Sequence, residues 1–266
     1  MQRPRVKTKR RNKTRISKGR FPSLSLLLAW NVLFFEKNSE DIFVQRLCEF
    51  FDIQPGITAL IGGGGKTSTM YALAEELRKS GSVIVCTSTH ILCPPQYPFL
   101  PRLSEKLAFG EVVSTGIFDG HKLSTPEQSF SELMEYADYV LVEADGSRQL
   151  PLKAHASHEP VIPKEANKVL VVIGIDGLGK TINEAAHRPE LYASLVHAET
   201  DDIVTEEMIH NVVMTYPRCD GIVINKADDP EQIENAQRLA AMFDVPAAIT
   251  AWQSCNPIKA YRRTNE

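Results

Sequence analysis

No two cysteines in this chain are spaced C-x-x-C, and the five present (Cys48, Cys86, Cys93, Cys219 and Cys255) form no even framework. A disulfide scaffold and a zinc site on paired thiols are therefore not expected. The thiols read as reduced and the protein as cytoplasmic. The apolar stretch Leu24–Phe35 is too short to cross a bilayer as a helix, and no small-x-small cleavage site follows it, so stable membrane insertion is not expected. No internal repeat is visible, and 266 residues suit one sizeable core with at most a small appendage. Residues 1–20 contain no acidic residue but ten of the 30 Lys/Arg; the rest of the chain carries 20 basic against 33 acidic groups, net −13. An acidic body of this kind argues against a nucleic-acid-binding surface on the main domain.

Residues 1–40 are expected to be a basic and apolar extension outside the globular unit. Three readings of it stay open: a basic tail with a docking segment, an upstream extension from a misplaced start, and a targeting segment with the n- and h-regions of a signal peptide. The domain proper is expected over 41–266, with a loop and hairpin insertion around 93–125.

The segment Ile57 to Ser68 reads ITALIGGGGKTS. An apolar, β-prone run ends in Gly62, Gly63, Gly64 and Gly65, then Lys66, Thr67 and Ser68 open a helical pattern. Glycines let the backbone approach phosphate oxygens, and consecutive N–H groups make an anion nest. The helix start adds partial positive charge, the lysine a full charge, and the threonine hydroxyl a ligand for Mg²⁺. The short form G-x-x-G-K-T fits at Gly62, Gly65, Lys66 and Thr67; the position of the long form's first glycine is Leu60.

Around this loop, periodicity predicts strands at about 57–61, 82–87, 139–143, 169–173, 221–225 and 247–250. Helices fit 41–51, 66–79, 129–136, 184–197, 205–215 and 230–243, and residues 111–114 with 118–123 suggest a hairpin. The unalternating strands and intervening helices predict an α/β fold: a mostly parallel sheet with helices on both faces, a three-layer sandwich like that of P-loop NTPases, with ligands at the carboxyl ends of the strands.

Those ends carry polar clusters. Tyr139–Val142 runs into Glu143-Ala144-Asp145-Gly146, where either acid could hold Mg²⁺ or position its water. Gly221–Ile224 runs into Asn225-Lys226-Ala227-Asp228, the N-K-x-D pattern. In it the carboxylate accepts from guanine N1–H and the 2-amino group, the lysine stem covers the base and the Asn braces the loop. Ala251, after the last strand, sits where an N–H could meet guanine O6. The same four residues also suit a polar turn opening a helix at Pro230. Thr87–His90 is a candidate switch. Gly174–Thr181 matches G-x-x-x-x-G-K-[ST] in full, but Asp176 puts a carboxylate inside the cradle and Pro189 breaks the next helical segment, so the 62–67 loop is preferred. Lys153 or Arg188 could neutralise transition-state charge, and His158 with Glu159 could bind metal or substrate; loop packing and capping compete with both. His155 by itself reads as a solvated side chain.

Taken together, Gly62–Ser68, Thr87–His90, Glu143–Gly146, Lys153-Ala154 with His158-Glu159-Pro160, His187-Arg188 and Asn225–Asp228 resemble the YqeC family, described as accessory proteins of selenium-dependent molybdenum hydroxylases. The likeness covers about residues 45–255. It implies a P-loop fold, a role in maturing a selenium- or molybdenum-containing cofactor, and a molybdenum hydroxylase or its maturation proteins as partners; a homodimer is one assembly open to it. Glu143-x-x-Gly146 with N-K-x-D is more distantly similar to metallocentre-assembly GTPases, although the shortened loop and the lack of a His/Cys metal tract depart from them. The expected activity is therefore that of a GTP-hydrolysing protein using Mg²⁺. Lys66, Glu143 and Asp145 would be catalytic, Thr67, Glu143 and Asp145 at the metal, and Asn225, Lys226 and Asp228 at the base. The alternatives are an ATP-dependent ligase or kinase acting on a cofactor precursor, since G-x-x-G-K-T also resembles the loop of Mur-type ligases, and a non-hydrolysing nucleotide-sensing module.

Overall fold

The computed structural model describes residues 46–263, and the basic and apolar extension expected over 1–40 lies outside the described residues. The chain begins with α1 (Leu47–Phe50), β1 (Gly56–Gly62), α2 (Lys66–Leu77), β2 (Val83–Thr87), β3 (His90–Leu92), β4 (Val112–Ser114), β5 (Ile117–Phe118), β6 (Lys122–Ser124), α3 (Phe130–Tyr136) and β7 (Tyr139–Glu143). It continues with β8 (Leu152–Lys153), β9 (Ala166–Gly174), α4 (Ile182–Ala185), β10 (Ala186–His187), α5 (Pro189–Val196), α6 (Glu206–Val213), β11 (Gly221–Asn225), α7 (Pro230–Ala241), β12 (Ala247–Thr250) and β13 (Ile258–Arg262).

Eight strands form one sheet in the order β13-β12-β11-β9-β1-β7-β2-β4, every pairing parallel except β12 with β13. The expected α/β sandwich is what the chain forms, because strands buried on both faces leave no side for water. Along them alternate residues enter two separate cores. Ala59, Ile61, Val140, Val142, Val171 and Ile224 face one, which packs beneath α3 and α5 to α7. Leu60, Val85, Leu141, Val172 and Val223 face the other, beneath α1 and α2. The stripe Met70, Leu73, Ala74 and Leu77 is the buried face of α2. Burying one such leucine contributes about 1.5–3 kcal/mol.

β1 lies between β7 and β9. The chain builds β2, β4 and β7 on one side of it, then crosses to β9, β11 and β12 on the other. This reversal is the topological switch point, and it places the loop after β1 in the crevice where α/β sheets take ligands.

Two local readings change, and one strand is added. Residues 112–114 join the main sheet beside β2, and the hairpin is instead β5 with β6, to which β3 adds. The segment 184–197 is two helices, split by β10 and by Arg188 in the left-handed region at φ 67°, with Pro189 opening α5. The strand 258–262 closes the sheet antiparallel at its edge. Among the described residues no helix is long and apolar enough to cross a membrane.

Candidate functional site

β1 ends at Gly62, whose partner in β9 is Val172, while Leu60 is opposite Glu143 of β7. The register thus brings the glycine loop between the ends of β7 and β9. The loop fits only as glycine: a Cβ on Gly64 (φ 70°) would lie 2.0 Å from Gly174 N, and one on Gly65 (φ 115°) 2.4 Å from Asn225 Nδ2. Its first N–H groups are engaged internally, Gly62 with Asp145 Oδ2 (2.8 Å), Gly63 with Val172 O (2.9 Å) and Gly64 with Leu150 O (3.0 Å). Gly65, the N-cap of α2, brings no side-chain cap. Among the described residues no protein group accepts from the N–H of Gly65, Lys66, Thr67 or Ser68. That leaves unmatched donors and the positive end of a twelve-residue helix facing a cleft of about 860 Å³.

Lys66, at 2% exposure, touches that cleft from below. Its Nζ donates to Gly62 O (2.7 Å) and pairs with Asp145 Oδ1 (2.9 Å), with Glu143 Oε1 at 3.7 Å. Burial works against its charge, but Asp145 and Glu143 override it and hold the ammonium above its ordinary pKa. Glu143 lines the cleft and accepts from Thr67 Oγ1 at 2.7 Å. Burial raises its pKa, against the pull of Lys66 and Thr67.

The two acids read from the sequence therefore part company. Glu143 faces the cleft, whereas Asp145 is fully buried beneath the loop. Although burial opposes its charge, Lys66, the hydrogen bond from His155 and Lys153 hold the Asp145 carboxyl well below the ordinary range. His155 Nε2 is 2.5 Å from Asp145 Oδ2, and its ring packs on Tyr216 with centroids 4.1 Å apart. His155 is thus part of this buried cluster, not solvated. Its partner is ten residues away in a different loop, a distance at which no sequence period signals contact.

Lys153 is buried too. Its Nζ donates to Gly146 O, lies 2.8 Å from Glu159 Oε2 and 3.6 Å from Asp145 Oδ2, and Glu159 also pairs with Arg188. A continuous charge chain, Lys66–Asp145–Lys153–Glu159–Arg188, runs under one wall of the cleft. Arg188, Glu159 and His187 line that wall, but His158 is exposed elsewhere.

On the other side, Asn225 Nδ2 donates to Gly64 O (2.8 Å) and Oδ1 accepts from Thr250 Oγ1 (3.1 Å), so Asn225 braces the glycine loop. Lys226 lines the cleft and reaches Asp176 Oδ2 at 3.0 Å. Asp228 is exposed and takes no part in lining the cleft, and the residue that caps α7 is its neighbour Asp229. The Ala251 N–H is engaged by Pro257 O at 2.7 Å. Of the switch candidates, Thr87 is tied to Glu143 O and Ser88 to Val161 O, while Thr89 and His90 line the cleft.

The second glycine segment folds differently. Ile175–Gly177 is a 3₁₀ turn, no helix starts at Lys180, and Thr181 forms a capping box with Glu184 at the start of the four-residue α4. It meets the first loop through Gly174 against Gly64.

Sequence reasoning passed over Arg148 and Gln149. Both line the cleft, and both hold positive φ (50° and 63°), a conformation costing about 1–2 kcal/mol for a residue with a Cβ. Among the described residues no group of three or more His, Cys, Asp and Glu side chains gathers to hold a metal ion by itself.

The sequence model of the YqeC protein family matches residues 58–190, half of the chain, from β1 through the start of α5. A protein of Escherichia coli (strain K12) named "Uncharacterized protein YqeC" is 34% identical over 163 residues, covering 56% of this chain. The match spans 63% of that relative's length. No solved structure matches the chain. The matched segment holds the glycine loop, both acids and the Lys153–Arg188 wall, and on it the chain belongs to the YqeC family.

Proposed function

We propose that the cleft binds a nucleoside triphosphate with Mg²⁺ and hydrolyses it. The observation that carries this reading is the uncapped start of α2, where the N–H groups of Gly65 to Ser68 face a cleft beside a buried, charged lysine. Those donors and Lys66 would hold the phosphates, with Gly62, Gly63 and Gly64 shaping the turn. Thr67 Oγ1 and Glu143 Oε2 are adjacent hard oxygen donors at the cleft wall, the chemistry Mg²⁺ selects, and they are the residues that would hold it. Bound there, Mg²⁺ would neutralise phosphate charge. Asp145 keeps Lys66 charged and fixes the Gly62 N–H.

Guanine is the base we favour, on Asn225, Lys226 and Asp228. Asn225 braces the loop as that role requires, and the Asp228 carboxylate is exposed on the same strand-end loop. The resemblance carried by the motif set extends the proposal to a cytoplasmic accessory role in maturing a selenium-dependent molybdenum hydroxylase or its cofactor, with that hydroxylase or its maturation proteins as partners. An ATP-dependent ligase or kinase is the second reading, favoured by the extra cationic wall at Arg148 and Arg188, which suits a co-substrate.

Calorimetric titration of the full chain with GDP, ADP and a non-hydrolysable GTP analogue, with Mg²⁺, tests these readings. Guanine-selective binding lost in Lys66→Ala is the expected result. Adenine-selective binding selects the ligase or kinase reading, and binding of neither nucleotide overturns both. Binding with no turnover when a hydroxylase partner is added reduces the activity to nucleotide sensing.

A further inference from the structure

The turn Ser147–Leu150 is closed by the Leu150 N–H donating to Ser147 O at 3.0 Å. Both central residues, Arg148 and Gln149, are left-handed. This is the sign pattern of a type I′ turn, which chains ordinarily build from Asn and Gly. Nothing local favours Arg-Gln there; the surroundings impose it. The next two carbonyls are clamped, Leu150 O by the Gly64 N–H (3.0 Å) and Pro151 O by the Gly174 N–H (3.0 Å). The turn is thus pinned to the glycine loop and to the end of β9, and the two residues with strained backbone line the cleft. Strain held in this way is characteristic of ligand-binding positions.

Charge on the same wall is not balanced. Lys66, Lys153 and Arg188 are matched in number by Glu143, Asp145 and Glu159. The Arg148 guanidinium, by contrast, has no hydrogen-bond or ion-pair partner among the described residues, although it lines the cleft of an acidic protein. Opposite it in sequence, β10 and the N-cap of α5 deliver His187 and Arg188 to the same cleft, Arg188 again left-handed. The His187 Nδ1 is buried with no partner. Burial, then Lys153 and Arg188, lower its pKa, so the ring stays neutral and can donate one hydrogen bond.

We propose that Arg148, Gln149, His187 and Arg188 form a second anion subsite, which binds the phosphate or carboxylate group of a small co-substrate beside the nucleotide. The inference rests on the nucleotide reading for what fills the rest of the cleft, but the subsite stands without it. A planar guanidinium with free donors suits either oxyanion, and a neutral imidazole with a side-chain amide completes a directional set.

The test is calorimetric titration of the full chain with inorganic phosphate and, separately, with malonate. It is run on wild type saturated with Mg²⁺ and the non-hydrolysable nucleotide analogue that binds, and on Lys66→Ala without nucleotide. Arg148→Asn, which keeps a residue tolerant of the left-handed region, is compared in the saturated state. The expected result is binding of at least one probe in both proteins, weakened about tenfold by Arg148→Asn. Tighter phosphate assigns a phosphorylated co-substrate, and tighter malonate a carboxylate. Binding of neither probe, binding that needs Lys66, or binding indifferent to Arg148→Asn overturns the subsite. Should nucleotide fail to bind wild type, the nucleotide reading falls, and the Lys66→Ala titration still decides the subsite. Should Lys66→Ala not fold, the saturated wild type and Arg148→Asn decide it.

Discussion

Lys66 Nζ lies 2.9 Å from Asp145 Oδ1, with the two side chains 2% and 0% exposed. A buried pair of this kind costs desolvation on both sides, offset by the mutual attraction of the charges together with added hydrogen bonds: Gly62 O for the lysine, and the Gly62 N–H and His155 for the aspartate. The pair therefore fixes the glycine loop from both ends of β1's last residue. It also ties the loop to Lys153, and through Glu159 to Arg188.

Asp145→Asn leaves Lys66 and Lys153 buried without their shared counter-charge. We expect a loss of about 3–5 kcal/mol at pH 7 by urea unfolding. The pH dependence carries a second signature. A carboxyl held below its ordinary range contributes stability that is complete above about pH 4 and disappears as the pH falls through its folded value. The gap between wild type and Asp145→Asn should narrow on acidification from pH 7 towards pH 3. A gap that is constant across that range refutes the charge assignment.

Glu143 behaves in the opposite sense. Its folded pKa is raised, chiefly by burial, so its stabilising contribution belongs to the protonated form and is lost as pH rises through the folded value. The ionised carboxylate is therefore the costlier form. Glu143→Gln keeps an acceptor for Thr67 Oγ1 and should leave the urea midpoint unchanged or raise stability by up to about 1 kcal/mol. The same change should abolish the Mg²⁺ dependence of nucleotide binding and lower turnover about a hundredfold or more. A variant that is destabilised yet keeps Mg²⁺-dependent binding would make Glu143 a structural residue.

The legibility of these groups follows their distance along the chain. Strands such as Val140–Val142 and Ile222–Ile224 announce themselves because burial on both faces makes them apolar throughout, and the Met70–Leu77 stripe because one face repeats at helical spacing. The glycine loop was readable because phosphate chemistry needs those residue types in succession. What the sequence left open was the choice between Glu143 and Asp145: strand alternation would put two acids two residues apart on one face, and it is the course of the chain beyond the end of β7 that leaves Glu143 at the cleft and takes Asp145 beneath the loop. The role of His155 depends on a contact between loops, and that of Arg148 on a backbone conformation imposed by Gly64 and Gly174. Two-residue strands such as β8 and β10 carry too few side chains to show any period.

Asn225 and Asp228, three residues apart, should separate cleanly. Asn225→Ala removes buried hydrogen bonds to Gly64 O and from Thr250 Oγ1, at about 1–3 kcal/mol for the groups left unmatched. Nucleotide binding of either base should weaken with it, because the loop loses its brace. Asp228→Asn sits at an exposed position and should leave stability within about 0.5 kcal/mol. Under the guanine reading it shifts preference from GTP towards XTP in competition binding. An unchanged GTP-to-XTP ratio in that assay removes Asp228 from base recognition and leaves the segment as the turn that starts α7.

The two glycine-lysine segments give the last contrast. Lys180 has a half-exposed side chain whose ion pair is with Asp176, and Thr181 Oγ1 caps α4 through the Glu184 N–H. Lys180→Ala should therefore leave nucleotide affinity and stability unchanged, and Thr181→Ala should cost about 1 kcal/mol of stability with no change in affinity. Gly64→Ala should do far more, since its Cβ would lie 2.0 Å from the Gly174 backbone nitrogen at a φ of 70°. Neither backbone can retreat, as Gly174 N is hydrogen-bonded to Pro151 O and Gly64 N to Leu150 O. Loss of soluble folded protein, or destabilisation beyond about 2 kcal/mol with loss of nucleotide binding, is the expected outcome. Nucleotide binding abolished by Lys180→Ala and retained in Lys66→Ala would transfer the site to residues 174–181.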